Sequence, residues 1–297
     1  MTLIAPINRF IYNLKILLTI AKTTKYWPFV VLFRLGILKN VSLKLNDGTL
    51  FELKSVSNYF SLIGYCEFKK IQRKLDIKRE NGEVHFNFKE HEIIFQCATD
   101  DERNNLAPLI NDQFIREEYS KLDVLNRMVV DIGTNVGDTA IYFSKSGAKG
   151  VIAIEPVKHY FDQALRNVEL NHLANSISLI RAYVVSKHRI SESNGHLDAS
   201  PKIGIDDIVN QFDLKEAALK IDCEGCEYDI INSSNEEILH RFSSIAIEYH
   251  HGYKDIKSKL QNIGYQVNNT SPRQVKGVGE KETNLEVGLL FAHRNES

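Results

Sequence analysis

The sequence predicts an α/β chain in which a mostly parallel, doubly wound sheet follows a helical and β-rich N-terminal extension. Three observations carry this reading. From about residue 101, short apolar runs alternate with helical patterns of roughly 10–15 residues, the order that a parallel sheet with crossover helices requires. Upstream, "VSLKLNDGTLFELKS" alternates with period two on both sides of Asn46-Asp47-Gly48, a hairpin signal. Before that, Ile7, Ile11, Leu14, Leu17, Leu18 and Ala21 recur at the spacing of an amphipathic helix. A chain of 297 residues with 43% hydrophobic and 25% charged content has room for one large domain with an appendage, and its composition is that of a globular protein.

Taken in order, residues 1–40 form a basic amphipathic helical segment, with a second short helix starting near Trp27 and Pro28. Residues 41–100 form a small β-rich unit, its second strand pair in "EVHFNFKEHEIIFQCA" turning around Lys89 to Glu92. Residues 101–297 form the sheet domain. Strand "RMVVDI" leads to helix "DTAIYFSKS", with Gly147 as its C-cap, and strand "GVIAIE" leads to helix "KHYFDQALRNVELN". Then come strand "ISLIRAYVV", a polar loop from Ser186 to Pro201 that is a candidate lid or acceptor contact, and strand "AALKID". A short helix near "EYDIINSS", strand "SSIAIEY", helix "YKDIKSKLQNIG" and strand "EVGLLFAH" complete it.

Charge and cysteine content narrow the function classes. Net charge is -1, so the chain as a whole has no field that attracts nucleic acid. The seven basic residues Arg9, Lys15, Lys22, Lys25, Arg34, Lys39 and Lys44 stand in a segment, 1–46, without an acid; removing them from 37 leaves 30 basic against 38 acidic residues. The N-terminal helix either packs its apolar stripe against the sheet domain, the favoured reading, or rests on an anionic membrane surface through residues 1–40 with Tyr26 and Trp27 at the interface. Four cysteines are too few for a disulfide framework, and a cytoplasmic protein, peripheral at the membrane on the second reading, is expected. No signal peptide is visible, because Arg9, Lys15 and Lys22 interrupt the apolar stretches, and "YWPFVVLF" is far shorter than the roughly 20 apolar residues of a membrane span.

In a doubly wound sheet, ligands bind at the carboxyl ends of the strands. The first strand of the domain ends in "VVDIGTNVGD", where an apolar run stops at Asp131 and passes into Gly133 and Gly137. The spacing Asp131-x-Gly133-x-Asn135-x-Gly137 differs from the G-x-G-x-x-G that cradles a pyrophosphate, which weakens a nicotinamide dehydrogenase as a reading. A carboxylate for an ammonium group and free turn amides for a carboxylate instead suit the methionyl part of S-adenosylmethionine. The next strand ends at Glu155, 22 residues beyond Gly133, near the roughly 20-residue separation at which an acid meets ribose hydroxyls.

"VVDIGTNVGDTAIYFSKSGA", "VIAIEP" followed by "NVELN", "IGIDDIV" and "LKIDCEGCEYDII" resemble, in order and spacing, the motifs of the FkbM family of S-adenosylmethionine-dependent methyltransferases. The resemblance spans roughly residues 120–252, and K-I-D-x-E-G-x-E is its most specific part. It implies a class I methyltransferase fold, a Rossmann-like doubly wound sheet, and O-methylation of a sugar, glycan or glycosylated small molecule. It also implies S-adenosylmethionine contacts from Asp131, Gly133, Asn135 and Gly137 on the methionyl side, with Thr134 in the same turn, and from Glu155 on the ribose. Asp206 in "IGIDDIV" reads as a helix cap.

In such a fold the strand ending at Asp222 faces the transferred methyl group. An alcohol acceptor must lose its proton to a positioned carboxylate or imidazole, so Asp222, Glu224 and His250 are the catalytic candidates, with Glu248 and His251 beside them. Asp222, Glu224 and a histidine could also hold a divalent cation, but spacing alone does not establish this and no metal is predicted. Cys223 and Cys226 lack the second pair a zinc site needs and read as small packing residues. The expected partner is a small-molecule or glycan acceptor and not nucleic acid. The alternatives are an N-methyltransferase, against which the strand end reads Asp-Cys-Glu-Gly where amino-methylating enzymes carry Asn/Asp-Pro-Pro-aromatic, and a catalytically silent S-adenosylmethionine-binding scaffold.

Overall fold

A computed structural model of the protein describes residues 14, 16–185, 200–276 and 284–294. The chain forms two compact units, Met1–Arg116 and Glu117–Ser297. The boundary lies past the expected one near residue 101 because helix Asp100–Ile110 and a following π-helical turn, Asn111–Ile115, continue the first unit. A capping box starts that helix: Glu102 N donates to Thr99 Oγ1 (3.1 Å) and Thr99 N to Glu102 Oε2 (3.0 Å).

In the first unit, helix α1 (Trp27–Arg34) and the hairpin of β1 (Val41–Lys44) and β2 (Leu50–Leu53) stand where the sequence places them. The Asp47 carboxylate accepts from Thr49 N (3.1 Å) across a turn completed by Gly48. Strands β3 (Lys78–Glu80), β4 (Glu83–Phe88) and β5 (His91–Gln96) make a separate antiparallel sheet, with Lys89 in the left-handed region at the β4–β5 turn. The expectation of a β-rich unit over 41–100 needs correction, because a 20-residue helix, α2 (Val56–Leu75), lies between the hairpin and this sheet. Ser55 caps it, and Leu62, Tyr65, Cys66, Phe68 and Ile71 form its buried stripe. Of the N-terminal helical stretch, Leu14 and Leu18 of the expected stripe are exposed, and Ile20, outside that stripe, packs here. Ile20 and Val30 are buried with Val41, Leu43, Leu53 and Leu62, in the hairpin's own core. Among the described residues, no helix is long and apolar enough to cross a membrane.

The second unit is built on an eight-stranded sheet. Strands β6 (Met128–Ile132), β7 (Gly150–Ile154), β8 (Ile177–Ile180), β11 (Ala217–Ile221) and β12 (Phe242–Tyr249) run parallel in the spatial order β8-β7-β6-β11-β12. The chain switches direction from β6: β7 lies on one side and β11 on the other, so the crevice of a doubly wound sheet opens at the carboxyl ends of β6 and β11. Every residue of β7 and β11 is buried, as strands covered on both faces must be, and their apolar runs follow from this.

Two parts of this unit differ from expectation. "ISLIRAYVV" is not one strand: after β8 it leaves the sheet, and β9 (Tyr183–Val185) pairs parallel with β10 (Lys202–Gly204) in a two-stranded sheet. Beyond β12 the sheet becomes antiparallel. β15 (Asn284–His293) lies against β12 and pairs with β13 (Gln266–Asn269) and β14 (Arg273–Lys276), short strands too polar to stand out in the sequence. The crossover helices are α4 (Asp138–Lys145) after β6 and α5 (Lys158–Leu170) after β7; α6 (Ile205–Gln211) precedes β11, and α7 (Glu227–Ser233) and α9 (Lys254–Asn262) follow β11 and β12. At the start of α6 the Asp207 carboxylate accepts from Gly204 N (3.2 Å). Of the polar loop Ser186 to Pro201, residues 186–199 lie outside the described residues.

Candidate active site

The turn after β6 is shaped by close backbone approach. Gly133 has φ 78°, and a Cβ there would lie 1.8 Å from the Asp222 carbonyl oxygen, so no other residue fits. Asn135 is also left-handed, at φ 51°, a conformation asparagine tolerates better than most residues. The turn amides are not free, as the sequence suggested, but are used within the protein. Gly133 N and Thr134 N donate to Ile154 O (2.9 and 3.1 Å), Gly137 N to Thr134 O (2.8 Å), and Asn135 N to Glu155 Oε2 (3.0 Å). What the turn leaves unpaired are the buried side-chain oxygens Thr134 Oγ1 and Asn135 Oδ1.

Glu155, at the end of β7, is 6% exposed and also accepts from Val157 N (2.9 Å) through Oε1. Burial pushes its pKa up and the two amides pull it part of the way back. Each of its oxygens keeps a second lone pair for a hydroxyl donor.

Asp131 is fully buried, and its carboxylate is engaged by the protein. Oδ2 accepts from Thr139 Oγ1 (2.6 Å), and Oδ1 lies 3.1 Å from Lys220 Nζ. The ammonium expected for Asp131 is therefore supplied by the chain itself. Lys220, one residue before the end of β11, also donates to Gly133 O (2.7 Å) and lies 4.0 Å from Asp222 Oδ2, which ties β6, the turn and the end of β11 together. Burial would lower its pKa, but Asp131 and then Asp222 more than reverse this and hold it above the ordinary lysine value. Asp138, at the start of α4, has no such compensation: burial raises its carboxyl to about 7, with Lys220 pulling down and Asp131 pushing up.

The structure brings the three catalytic candidates together. Single ligand atoms of Asp222, Glu224 and His250 lie within 4.8 Å of one another. His250, 6% exposed, lies 3.0 Å through Nδ1 from Oε1 of the fully buried Glu227 and 3.3 Å through Nε2 from Glu224 Oε2. Burial opposes charge on this imidazole, but Glu227, Glu224 and Asp222 raise its pKa to about 9. Glu248 is raised to about 7 by burial and by Asp222. His251 is exposed, its backbone amide donating to Tyr228 Oη (2.7 Å). The loop that carries Glu224 is closed by a Cys223–Cys226 disulfide, so these cysteines are a crosslink and not simple packing residues.

Lys220 and Glu227 both lie in K-I-D-x-E-G-x-E, but the sequence alone assigned neither a role. A lysine within "AALKI" is a detectable signal, a charge in a run otherwise buried on both faces; Glu227 reads as an ordinary first-turn helix residue.

A Gly133 turn at the switch point, an acid at the end of the neighbouring strand and carboxylates at the end of β11 form the crevice of a chain whose sequence matches S-adenosylmethionine-dependent methyltransferases. The family model described as Methyltransferase FkbM domain matches residues 131–267 of this chain. Solved structures similar to this chain are themselves transferases. A putative transferase from Pyrococcus horikoshii is 14% identical at TM-score 0.43, the match covering 83% of this chain and 88% of that one. The tRNA m1G37 methyltransferase of M. jannaschii is 16% identical at TM-score 0.42, covering 74% and 59%. M. capricolum TrmK, in complex with S-adenosyl-homocysteine, is 17% identical at TM-score 0.41, covering 62% and 69%. A comparison with curated proteins finds no match.

The residues present fit the cofactor. The orphaned Thr134 and Asn135 oxygens and the Glu155 carboxylate are acceptors for the amino and hydroxyl donors that S-adenosylmethionine carries.

Proposed function

We propose that the protein is an O-methyltransferase acting on a hydroxyl of a sugar, glycan or glycosylated small molecule. The observation that supports this best is the convergence of Asp222, Glu224 and His250 at the ends of β11 and β12, one residue pair away from the cofactor turn through the Gly133–Asp222 backbone approach. A hydroxyl must lose a proton to become a good nucleophile, and a carboxylate aimed at it supplies the acceptor. Bound S-adenosylmethionine supplies a methyl group on a sulfonium, set for in-line displacement.

The chain's own residues do the rest. Thr134 and Asn135, with Gly133 and Gly137 shaping their turn, hold the methionyl side, and Glu155 holds the ribose. Asp131 acts at one remove, fixing Lys220 and through it the Gly133 carbonyl. Asp222 takes the acceptor's proton as the hydroxyl oxygen takes the methyl group, with Glu224 and His250 holding the acceptor against it. The Asp-Cys-Glu-Gly sequence at this strand end and the surplus of acid in the body both favour a hydroxyl on a neutral or glycosylated molecule over a nitrogen on nucleic acid.

The test has two parts. Calorimetric titration with S-adenosylmethionine should show binding that is lost in Glu155→Ala. Incubation with methyl-labelled cofactor and panels of glycans, glycosylated small molecules, RNA and protein should then place label in an alkali-stable ether. Label on RNA or on nitrogen would overturn the acceptor class, and cofactor binding without label on any panel would favour the silent scaffold.

A further inference from the structure

We propose that Asp222, Glu224 and His250 form a binding site for a divalent cation of the magnesium and manganese class. Their ligand atoms lie within 4.8 Å of one another, about twice the roughly 2.0–2.6 Å bond of a hard divalent ion to oxygen. One ion between them can therefore reach all three with small side-chain rotations.

The arrangement behind His250 is what distinguishes this cluster from surface acids that meet by chance. Glu227 is fully buried, and its Oε1 faces both the His250 backbone amide (3.2 Å) and Nδ1 (3.0 Å). A carboxylate that accepts a hydrogen bond from Nδ1–H fixes the orientation of the ring, the second shell that metal-binding histidines require, and an arriving ion displaces the Nε2 proton. Nε2 faces Glu224 Oε2 at 3.3 Å. Glu224 itself is 83% exposed and stands at φ 55° in a loop clamped by the Cys223–Cys226 disulfide and by Gly225 N donating to Glu227 Oε2 (2.8 Å). A costly left-handed glutamate, held in place on both sides, aims a carboxylate at an imidazole that is already oriented.

Two carboxylate oxygens and one imidazole nitrogen are a hard to borderline set, which selects Mg²⁺ or Mn²⁺ with Mn²⁺ the tighter. Glu224 is 83% exposed, which leaves the site open on its side, so an ion there would let Glu224 and His250 hold the acceptor's oxygen through it while the second Asp222 oxygen takes the proton. The site does not depend on the acceptor proposed above, since it is assembled without one.

The experiment is titration of metal-stripped, full-length protein with Mn²⁺, followed by the electron paramagnetic resonance of the free ion and by calorimetry. One Mn²⁺ per chain, displaced by Mg²⁺, is expected. Glu224→Gln and His250→Ala should each weaken it at least tenfold, Glu227→Gln by about 10- to 100-fold, and His251→Ala should leave it unchanged. S-adenosylmethionine binding by the same variants serves as the check on folding. Absence of saturable Mn²⁺ binding by the wild type, or undiminished binding by a folded Glu224→Gln, overturns the proposal. Because the readout is the bound ion, a protein that binds Mn²⁺ but methylates no hydroxyl would refute the acceptor class alone.

Discussion

A lysine buried within an apolar strand is stable only while its charge is matched, and Lys220 is matched by Asp131 at 3.1 Å. Lys220→Met should therefore cost roughly 3–5 kcal/mol, the penalty for leaving one buried charge unpaired. Adding Asp131→Asn, which keeps a partner for Thr139, should recover a large part of it; urea unfolding of the two single variants and the double variant measures the coupling. Asp138 predicts a pH effect of known sign. Its folded pKa of about 7 lies above the ordinary aspartate value of 3.8, so its contribution is fully present below the lower value and is lost as pH rises through the upper one. Between pH 5 and pH 8 the urea midpoint of the wild type should fall more than that of Asp138→Asn, and equal slopes would show that Asp138 is ionised throughout. Gly133, Glu155 and Asp222 could be found from the sequence because a strand end, a glycine spacing and a second strand end are local facts. Lys220 and Glu227 could not be placed that way. Their roles exist only where β11 lies against β6 and where α7 meets the end of β12.

At the scale of elements, legibility followed burial. β6, β7, β11 and β12 are covered on both faces and spell continuous apolar runs, so their existence and order could be read directly. β13, with only Val267 buried, carries no such run and pairs because β15 offers it an edge. α2 escaped for a different reason. Its stripe of Leu62, Tyr65, Cys66, Phe68 and Ile71 is interrupted by Lys69 and Lys70, and hairpin signals on both sides drew the whole segment toward β. The local signal that does mark it is Ser55, whose hydroxyl accepts from Asn58 N (3.2 Å) at the N-cap. Ser55→Ala should cost about 1 kcal/mol, measured as a shift in urea midpoint without a change in slope; no shift would mean that tertiary packing alone sets where α2 begins.

At the scale of the molecule, each unit carries its own core. One holds Ile20, Val30, Leu43, Leu53 and Leu62, and the other holds Ile132, Ile154, Leu219, Ile221 and Ile247. Every residue proposed above to hold the cofactor belongs to the second unit, Glu117–Ser297. Two separate cores predict two calorimetric transitions, and linkage predicts which one responds to ligand. Saturation with S-adenosylmethionine at 100 times its dissociation constant adds about 2.7 kcal/mol to the state that binds it, which should move one transition upward by several degrees and leave the other in place. Ile20→Ala, a cavity in the first core, identifies the unresponsive transition by lowering it alone, and Glu155→Ala should abolish the shift of the responsive one. A single transition that both the ligand and Ile20→Ala displace would show instead that the units unfold together, and that the stability of the proposed cofactor site depends on residues well before residue 131, where the match to the FkbM family model begins.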